Sequence, residues 1–283
     1  MGHIRLEPVG SSMVATCSTR SNPLDLAFRL GRLAAVLVTV VAYLLLAPFG
    51  QITLALLSWL WRKDPARRAR RLQTFTSRAY RFMHWWLSLS RIIAFDWRRT
   101  AAKLPPGPCV VIANHPTLVD VTAITAALGG AISIVKPGVY NRAMIKPLLA
   151  GLGHVEGPGA DPIRAGKVVD DIVERLSWGL PVVIFPEGTR SPPGGIEPFG
   201  RVAFEAALRA QVPLVCLGLR CDPVYLSKDV PPLRPPHPMP QLTIELLSVE
   251  DPKDADSSRT QRARAEERYR TWTSEVAAPP SNS

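Results

Sequence analysis

Two runs of β-branched residues, Val110-Val111-Ile112 and Val182-Val183-Ile184, each lead straight into a short polar word. The first word is Asn114-His115-Pro116-Thr117-Leu118-Val119-Asp120. The second is Phe185-Pro186-Glu187-Gly188-Thr189-Arg190-Ser191. A short apolar run without alternation reads as a strand buried on both faces. Titratable residues at the ends of such strands are where α/β proteins place chemistry. One word offers a base and a carboxylate. The other offers a carboxylate, a glycine turn and a guanidinium. Together they read as a proton-transfer site beside an anion site.

The surrounding pattern sets the fold class. Strands are expected at Cys109–Ile112, Ala131–Val135, Val182–Phe185, Leu214–Leu219 and Leu242–Leu247. A helix is expected after Asp161 as N-cap and Pro162 at its first position, with Val169, Ile172, Val173 and Leu176 as the apolar face and Gly179 as the stop. Strands alternating with such helices predict an α/β fold, with a mostly parallel central sheet flanked by helices and an N-terminal membrane-associated helical segment. The expected division is a disordered N-terminus at 1–25, a membrane-anchoring helical hairpin with a basic, aromatic interfacial helix at 26–100, a catalytic domain at 101–250, and a charged, fraying tail at 251–283. Pro231–Pro240, with six prolines, reads as a loop.

Leu33 to Trp61 is almost free of charge, but Pro48-Phe49-Gly50-Gln51 divides it into pieces of fifteen and ten residues. Each piece is short of the ~20 residues that a full span needs. Basic residues flank both ends: Arg29 and Arg32 before; Arg62, Lys63, Arg67 and Arg68 after. A single span would put one basic flank outside, against the positive-inside rule. A re-entrant hairpin, or two tilted interfacial helices, keeps both flanks cytoplasmic and is the preferred reading. A second stretch, Tyr80 to Phe95, carries Phe82, Trp85, Trp86, Leu89, Ile92 and Ile93 at helical spacing. Such a stripe suits either a membrane interface or packing on the soluble domain.

The net charge of +11 asks for an anionic partner. Eleven Lys or Arg and only Asp64 and Asp96 lie between Arg62 and Arg99, directly after the apolar stretch. That placement favours an anionic membrane surface over nucleic acid, for which no binding signature accompanies the charge. The expected location is therefore a membrane, on its cytoplasmic face, the inner membrane if the source is bacterial. The four cysteines, Cys17, Cys109, Cys216 and Cys221, match neither a disulfide framework nor metal spacing and read as reduced thiols.

In the first word Pro116 biases His115 to extended geometry. Thr117 is expected as N-cap of a helix from Val119 to Leu128. The turn can fold the imidazole back over the first helical turn, where Asp120 would hold one ring nitrogen and leave the other free as a base. There is no G-x-S-x-G nucleophile elbow and no second histidine at ligand spacing. What remains is a His–Asp pair that activates an external hydroxyl. In the second word Gly188 permits a sharp turn and Arg190 presents a planar fork for phosphate or carboxylate. Glu187 could hold Arg190 or accept from a substrate hydroxyl.

Together these residues resemble the glycerolipid acyltransferase superfamily. Asn114 to Asp120 matches its H-x4-D box, and Phe185 to Ser191 matches its F-P-E-G-T-R-S box. Val212-Pro213-Leu214-Val215 is similar to a later strand of the family, and Lys136 falls where members often carry a lysine. The likeness covers roughly Pro105 to Asp222. It implies transfer of a fatty acyl group from acyl-CoA or acyl carrier protein to the hydroxyl of a membrane lipid acceptor. His115 would be the general base and Asp120 its orienting partner. Asn114, Lys136, Glu187, Gly188, Thr189 and Arg190 would bind substrate. No metal or organic cofactor is implied. One departure matters: a middle box that usually ends in a phosphate-binding arginine reads here as Gly153-His154-Val155-Glu156-Gly157-Pro158-Gly159, with Gly159 at the arginine position and Arg164 five residues on. The acceptor is thus either a lysophospholipid or a non-glycerophosphate lipid such as a lyso-ornithine or aryl/polyketide lipid. A catalytically silent lipid-binding membrane protein and a lipid hydrolase are the other readings. His154 is an alternative base by sequence, though a core role suits it better.

Overall fold

The computed structural model describes residues 23–277 except 160, 231, 234, 255 and 256. The disorder expected at 1–25 and Cys17 therefore fall, but for the last three residues of that stretch, outside the described residues. The chain runs α1 (Pro23–Leu60), α2 (Pro65–Leu89), β1 (Ala94–Asp96), α3 (Arg98–Ala101), β2 (Val110–Ala113), α4 (Asp120–Leu128), β3 (Ile132–Val135), α5 (Pro137–Tyr140), α6 (Lys146–Gly151), β4 (Val155–Glu156), α7 (Pro162–Ser177), β5 (Val182–Ile184), α8 (Val202–Ala210), β6 (Leu214–Asp222), β7 (Gln241–Glu250) and α9 (Ser258–Ala277).

The seven strands form one sheet in the order β1-β7-β6-β2-β5-β3-β4. Every pairing is parallel except β6 with β7, so the predicted mostly parallel sheet is present. Alternate residues of each strand face opposite layers. Val110, Ile112, Val182, Ile184, Leu214 and Cys216 meet α7, α8 and α9 on one side. Val111, Ala113, Val183, Val215 and Leu217 meet α4 and the α1–α2 region on the other. Both faces being covered is why β2 and β5 read as unbroken apolar runs.

Three expectations are corrected. Pro48 does not break the apolar segment, because α1 runs unbroken through it. A proline removes one hydrogen bond of the ladder, whereas a break among apolar surroundings would leave several backbone groups unpaired. The reversal falls instead at Trp61–Asp64, where Asp64 caps α2 by accepting from the Arg67 N–H at 2.8 Å. Trp86 of α2 donates its indole N–H to Thr39 of α1 at 3.1 Å, so the two helices run back to back as an antiparallel pair. Leu30–Leu60 is long and apolar enough to cross a membrane by length and composition.

From Ser258 to Ala277 the tail is not a fraying end but the helix α9. It inserts Tyr269 and Trp272 into the core. Trp272 packs so closely on Gly218 of β6 that a Cβ there would lie 2.7 Å from its ring. Charged residues cover the outer face of this helix, which is what made the segment read as solvated. The third correction is small: α4 begins at Asp120, with Val119 as N-cap in place of Thr117.

Candidate active site

Strands β2 and β5 are hydrogen-bonded neighbours with Ile112 opposite Ile184. Parallel strands present their carboxyl ends at one edge, so the two polar words leave the sheet side by side. The His115 backbone N–H donates to Ser191 Oγ at 2.8 Å, and the Ser191 N–H donates to the His115 carbonyl at 2.9 Å. The His115 ring stacks on Phe185, with centroids 4.2 Å apart and planes 19° from parallel.

His115 Nδ1 lies 2.7 Å from Asp120 Oδ2. That oxygen also accepts the Thr117 N–H at 2.7 Å, and the Thr117 hydroxyl donates to Oδ1. Asp120 is fully buried, while the His115 side chain keeps 22% of its exposure. Burial pushes the Asp120 carboxyl up from its ordinary value, and the bonds from His115 and Thr117 pull against that. Facing three donors, Asp120 is built to act as an acceptor. It fixes the imidazole with its proton on Nδ1, which leaves Nε2 as the basic nitrogen. No residue described here engages Nε2. The pairing anticipated for His115 and Asp120 is therefore in place.

The second loop is organised from within. Gly188 holds φ +64, a left-handed conformation that favours glycine. The Ser191 hydroxyl donates to Glu187 Oε1, and the Glu197 N–H donates to Oε2 at 2.8 Å. Burial also raises the Glu187 carboxyl. Glu187 thus neither holds Arg190 nor presents an unoccupied oxygen to a substrate; it shapes the loop. Thr189 and Arg190 are half-exposed, and among the described residues neither side chain is engaged.

Asn114 is likewise corrected from a substrate contact to a strand clamp. Its Nδ2 donates to the Leu219 carbonyl at 2.9 Å and its Oδ1 accepts the Leu219 N–H at 2.7 Å. Lys136 is exposed at the carboxyl end of β3, on the same edge of the sheet. Ser191 and Phe185 had no assigned role and Thr117 only that of N-cap, yet all three shape the site. All three lie inside the two words, which was the available signal. Tyr269 gave no such signal, yet its hydroxyl sits 2.9 Å from the Ile112 carbonyl and 2.7 Å from that of Leu217.

His154 is not a base. Its Nδ1 accepts the Ser133 N–H at 2.9 Å, and burial lowers the ring to about 4. Arg164 stands 3.7 Å from Glu156 and 3.7 Å from Asp161. Cys109, Cys216 and Cys221 are buried free thiols, pushed by burial to about 12, 11 and 11. Among the described residues no cluster of three or more His, Cys, Asp or Glu could hold a metal ion.

Comparison with known proteins shows what the chain is similar to. Residues 98–220 match the family model described as Acyltransferase. The human 1-acyl-sn-glycerol-3-phosphate acyltransferase alpha is 34% identical over 125 residues, covering 41% of this chain and 42% of that protein. The mouse protein of that name is 30% identical over 175 residues, covering 57% and 60%. The chloroplastic 1-acyl-sn-glycerol-3-phosphate acyltransferase BAT2 of Brassica napus is 30% identical over 112 residues, covering 40% and 33%. The chain thus spans from a third to about two fifths of the first relatives' length. The crystal structure of the 1-acyl-sn-glycerophosphate (LPA) acyltransferase PlsC from Thermotoga maritima shares the fold, with a TM-score of 0.63 at 19% identity over 91% of this chain and 99% of that one.

Proposed function

We propose, from its similarity to the Acyltransferase family model and to 1-acyl-sn-glycerol-3-phosphate acyltransferases, that this protein is a membrane-associated O-acyltransferase that acylates the hydroxyl of a lysophospholipid-like acceptor. The observation that carries the reading is His115 held by Asp120 at 2.7 Å with Nε2 left free beside the Arg190 loop. His115 Nε2 takes the acceptor's hydroxyl proton as the oxygen attacks the thioester carbonyl of acyl-CoA or acyl carrier protein. The tetrahedral intermediate then collapses, the C–S bond breaks, and the thiolate recovers the proton from the imidazolium. Asp120 keeps the ring oriented throughout and stabilises its charged form. Arg190, with Thr189 and the Gly188 turn, binds the acceptor's anionic group, and Lys136 adds charge along the same edge.

The α1–α2 pair brings this edge to the bilayer where acceptor and product reside, on the cytoplasmic face. Exposed apolar residues along α1, Leu44 to Leu46 among them at 64–65% exposure, support that association.

A second reading of the acceptor rests on Gly159 and Arg164. The arginine nearest the departed phosphate-binding position is occupied by Glu156 and Asp161, which favours a non-glycerophosphate lipid. The test is acyl transfer by the purified full chain from labelled acyl-CoA, then acyl carrier protein, to a panel of lysolipids, with His115→Ala as control. Transfer to lysophosphatidic acid that is lost in the control supports the first acceptor. Transfer confined to another lipid supports the second. Near-normal turnover by His115→Ala removes His115 as the base.

A further inference from the structure

A shallow groove of about 310 Å³ opens at the turn between α1 and α2, lined by Trp61, Arg70, Arg71, Thr74, Phe75 and Arg78. Three guanidinium groups and two aromatic rings thus share one recess, and no acidic side chain lines it. Arg71 lies over the Trp61 ring at 4.9 Å, and Arg70 Nη1 donates to the Trp178 carbonyl at 2.8 Å. Among the described residues none of the three arginines has a carboxylate partner. The neighbouring carboxylate, Asp64, caps α2. An arginine cluster without counter-charge is costly to gather through mutual repulsion, and a phosphate oxygen set is the ligand its planar forks fit best.

The surroundings say which phosphate. Arg71, Phe75, Arg78, Phe82, Trp85 and Leu89 follow one another at helical spacing along α2, with Phe82 64% and Trp85 56% exposed. Across the turn the last residues of α1, Trp59 and Leu60, are equally open. Apolar and aromatic groups at this height beside arginines match the boundary between acyl chains and headgroups. We propose that the Arg70–Arg71–Arg78 groove is a non-catalytic binding site for the phosphate of an anionic bilayer lipid. The Trp61 and Phe75 rings flank the glycerol region, and the bound lipid fixes the protein's tilt on the membrane. The proposal rests on the membrane association proposed above but not on catalysis at His115.

Flotation of the full chain with vesicles tests it, using phosphatidylcholine alone and phosphatidylcholine with about 30% phosphatidylglycerol. The wild type is expected to favour the acidic vesicles. Arg71→Gln with Arg78→Gln, both exposed, should weaken that binding about 30-fold, at the contribution usual for a basic residue near an anionic surface. Arg98→Gln with Arg99→Gln removes the same charge from the same basic block but outside the groove, and on the proposal should cost less than about threefold, because these side chains do not converge on one phosphate. Equal losses from the two pairs would mean diffuse attraction and would overturn the groove. Inorganic phosphate at matched ionic strength should leave binding unchanged; displacement would mark a free-phosphate site and overturn the lipid assignment. Failure of the wild type to bind any vesicle would overturn membrane association as well. Acyl transfer to a detergent-dispersed acceptor reports on His115 independently of all these outcomes.

Discussion

Ser191 and His115 grip each other in both directions across seventy-six residues of chain: each backbone N–H is satisfied by the other residue, one by a hydroxyl at 2.8 Å and one by a carbonyl at 2.9 Å. This reciprocal pair fixes the distance between the base and the Arg190 loop. The same serine hydroxyl donates to Glu187, so one small side chain couples the acid that shapes the second word to the backbone of the first.

Removing the Ser191 hydroxyl should therefore loosen two loops at once. We expect Ser191→Ala to lower kcat/KM about tenfold, the cost of one or two hydrogen bonds, with kcat and KM both affected. Arg190→Ala should differ in kind. It removes a charged donor that no described residue engages, so acceptor KM should rise about 10- to 100-fold with unchanged thermal stability. Steady-state kinetics with varied acceptor separates the two, and an unchanged KM for Arg190→Ala would remove that residue from the site.

Asp120→Asn places an amide where three donors converge. Its NH2 must oppose either His115 Nδ1 or Thr117, which favours the wrong imidazole tautomer. The expected loss in kcat is about 10²- to 10⁴-fold with little change in acceptor KM, since Asp120 is buried and does not reach the substrate. A variant with near-wild-type kcat would show that the ring needs no such orientation.

Tyr269→Phe tests the role of α9. The hydroxyl has one proton and donates to one of two carbonyls at a time, Ile112 or Leu217. Its removal takes one hydrogen bond from a buried carbonyl of β2 or β6, at a cost of about 1 kcal/mol. Urea unfolding should show that loss. A midpoint equal to wild type would mean that α9 contributes by packing alone.

His84 sets an acid limit on stability. It is buried on α2, stacked on Phe95 at 3.8 Å and 3.0 Å from the Thr122 hydroxyl, and burial lowers its ring to about 4. The unfolded chain protonates near the ordinary value of about 6.5. Below that pH the unfolded state binds a proton that the native state excludes. The contribution is therefore complete above about 6.5 and is lost as pH falls toward 4, amounting to about 3 kcal/mol in all. Urea midpoints at pH 7 and pH 5 should fall less steeply in His84→Gln than in wild type; parallel slopes would exclude His84 as the source.

Local chemistry explains which parts of this molecule were legible in its sequence. Val110–Ile112 and Val182–Ile184 announce doubly covered strands because both faces demand apolar side chains, and Pro162 and Gly179 mark the ends of α7 because their backbone preferences are local. The His115–Asp120 pair was legible because both partners belong to one seven-residue word and one turn joins them. Non-local matters were closed to it. The continuation of α1 through Pro48 depends on hydrogen bonds on either side of the proline. The docking of α9 depends on Gly218, far away in sequence, leaving room for Trp272. The diversion of Asn114 to Leu219, and of Glu187 to Ser191 and Glu197, was settled by which backbone groups the assembled sheet and loop left in need of partners. The sequence by itself determined which residues could carry the chemistry. Only the tertiary structure decided which remain available for it, because most buried polar groups are engaged in hydrogen bonds first.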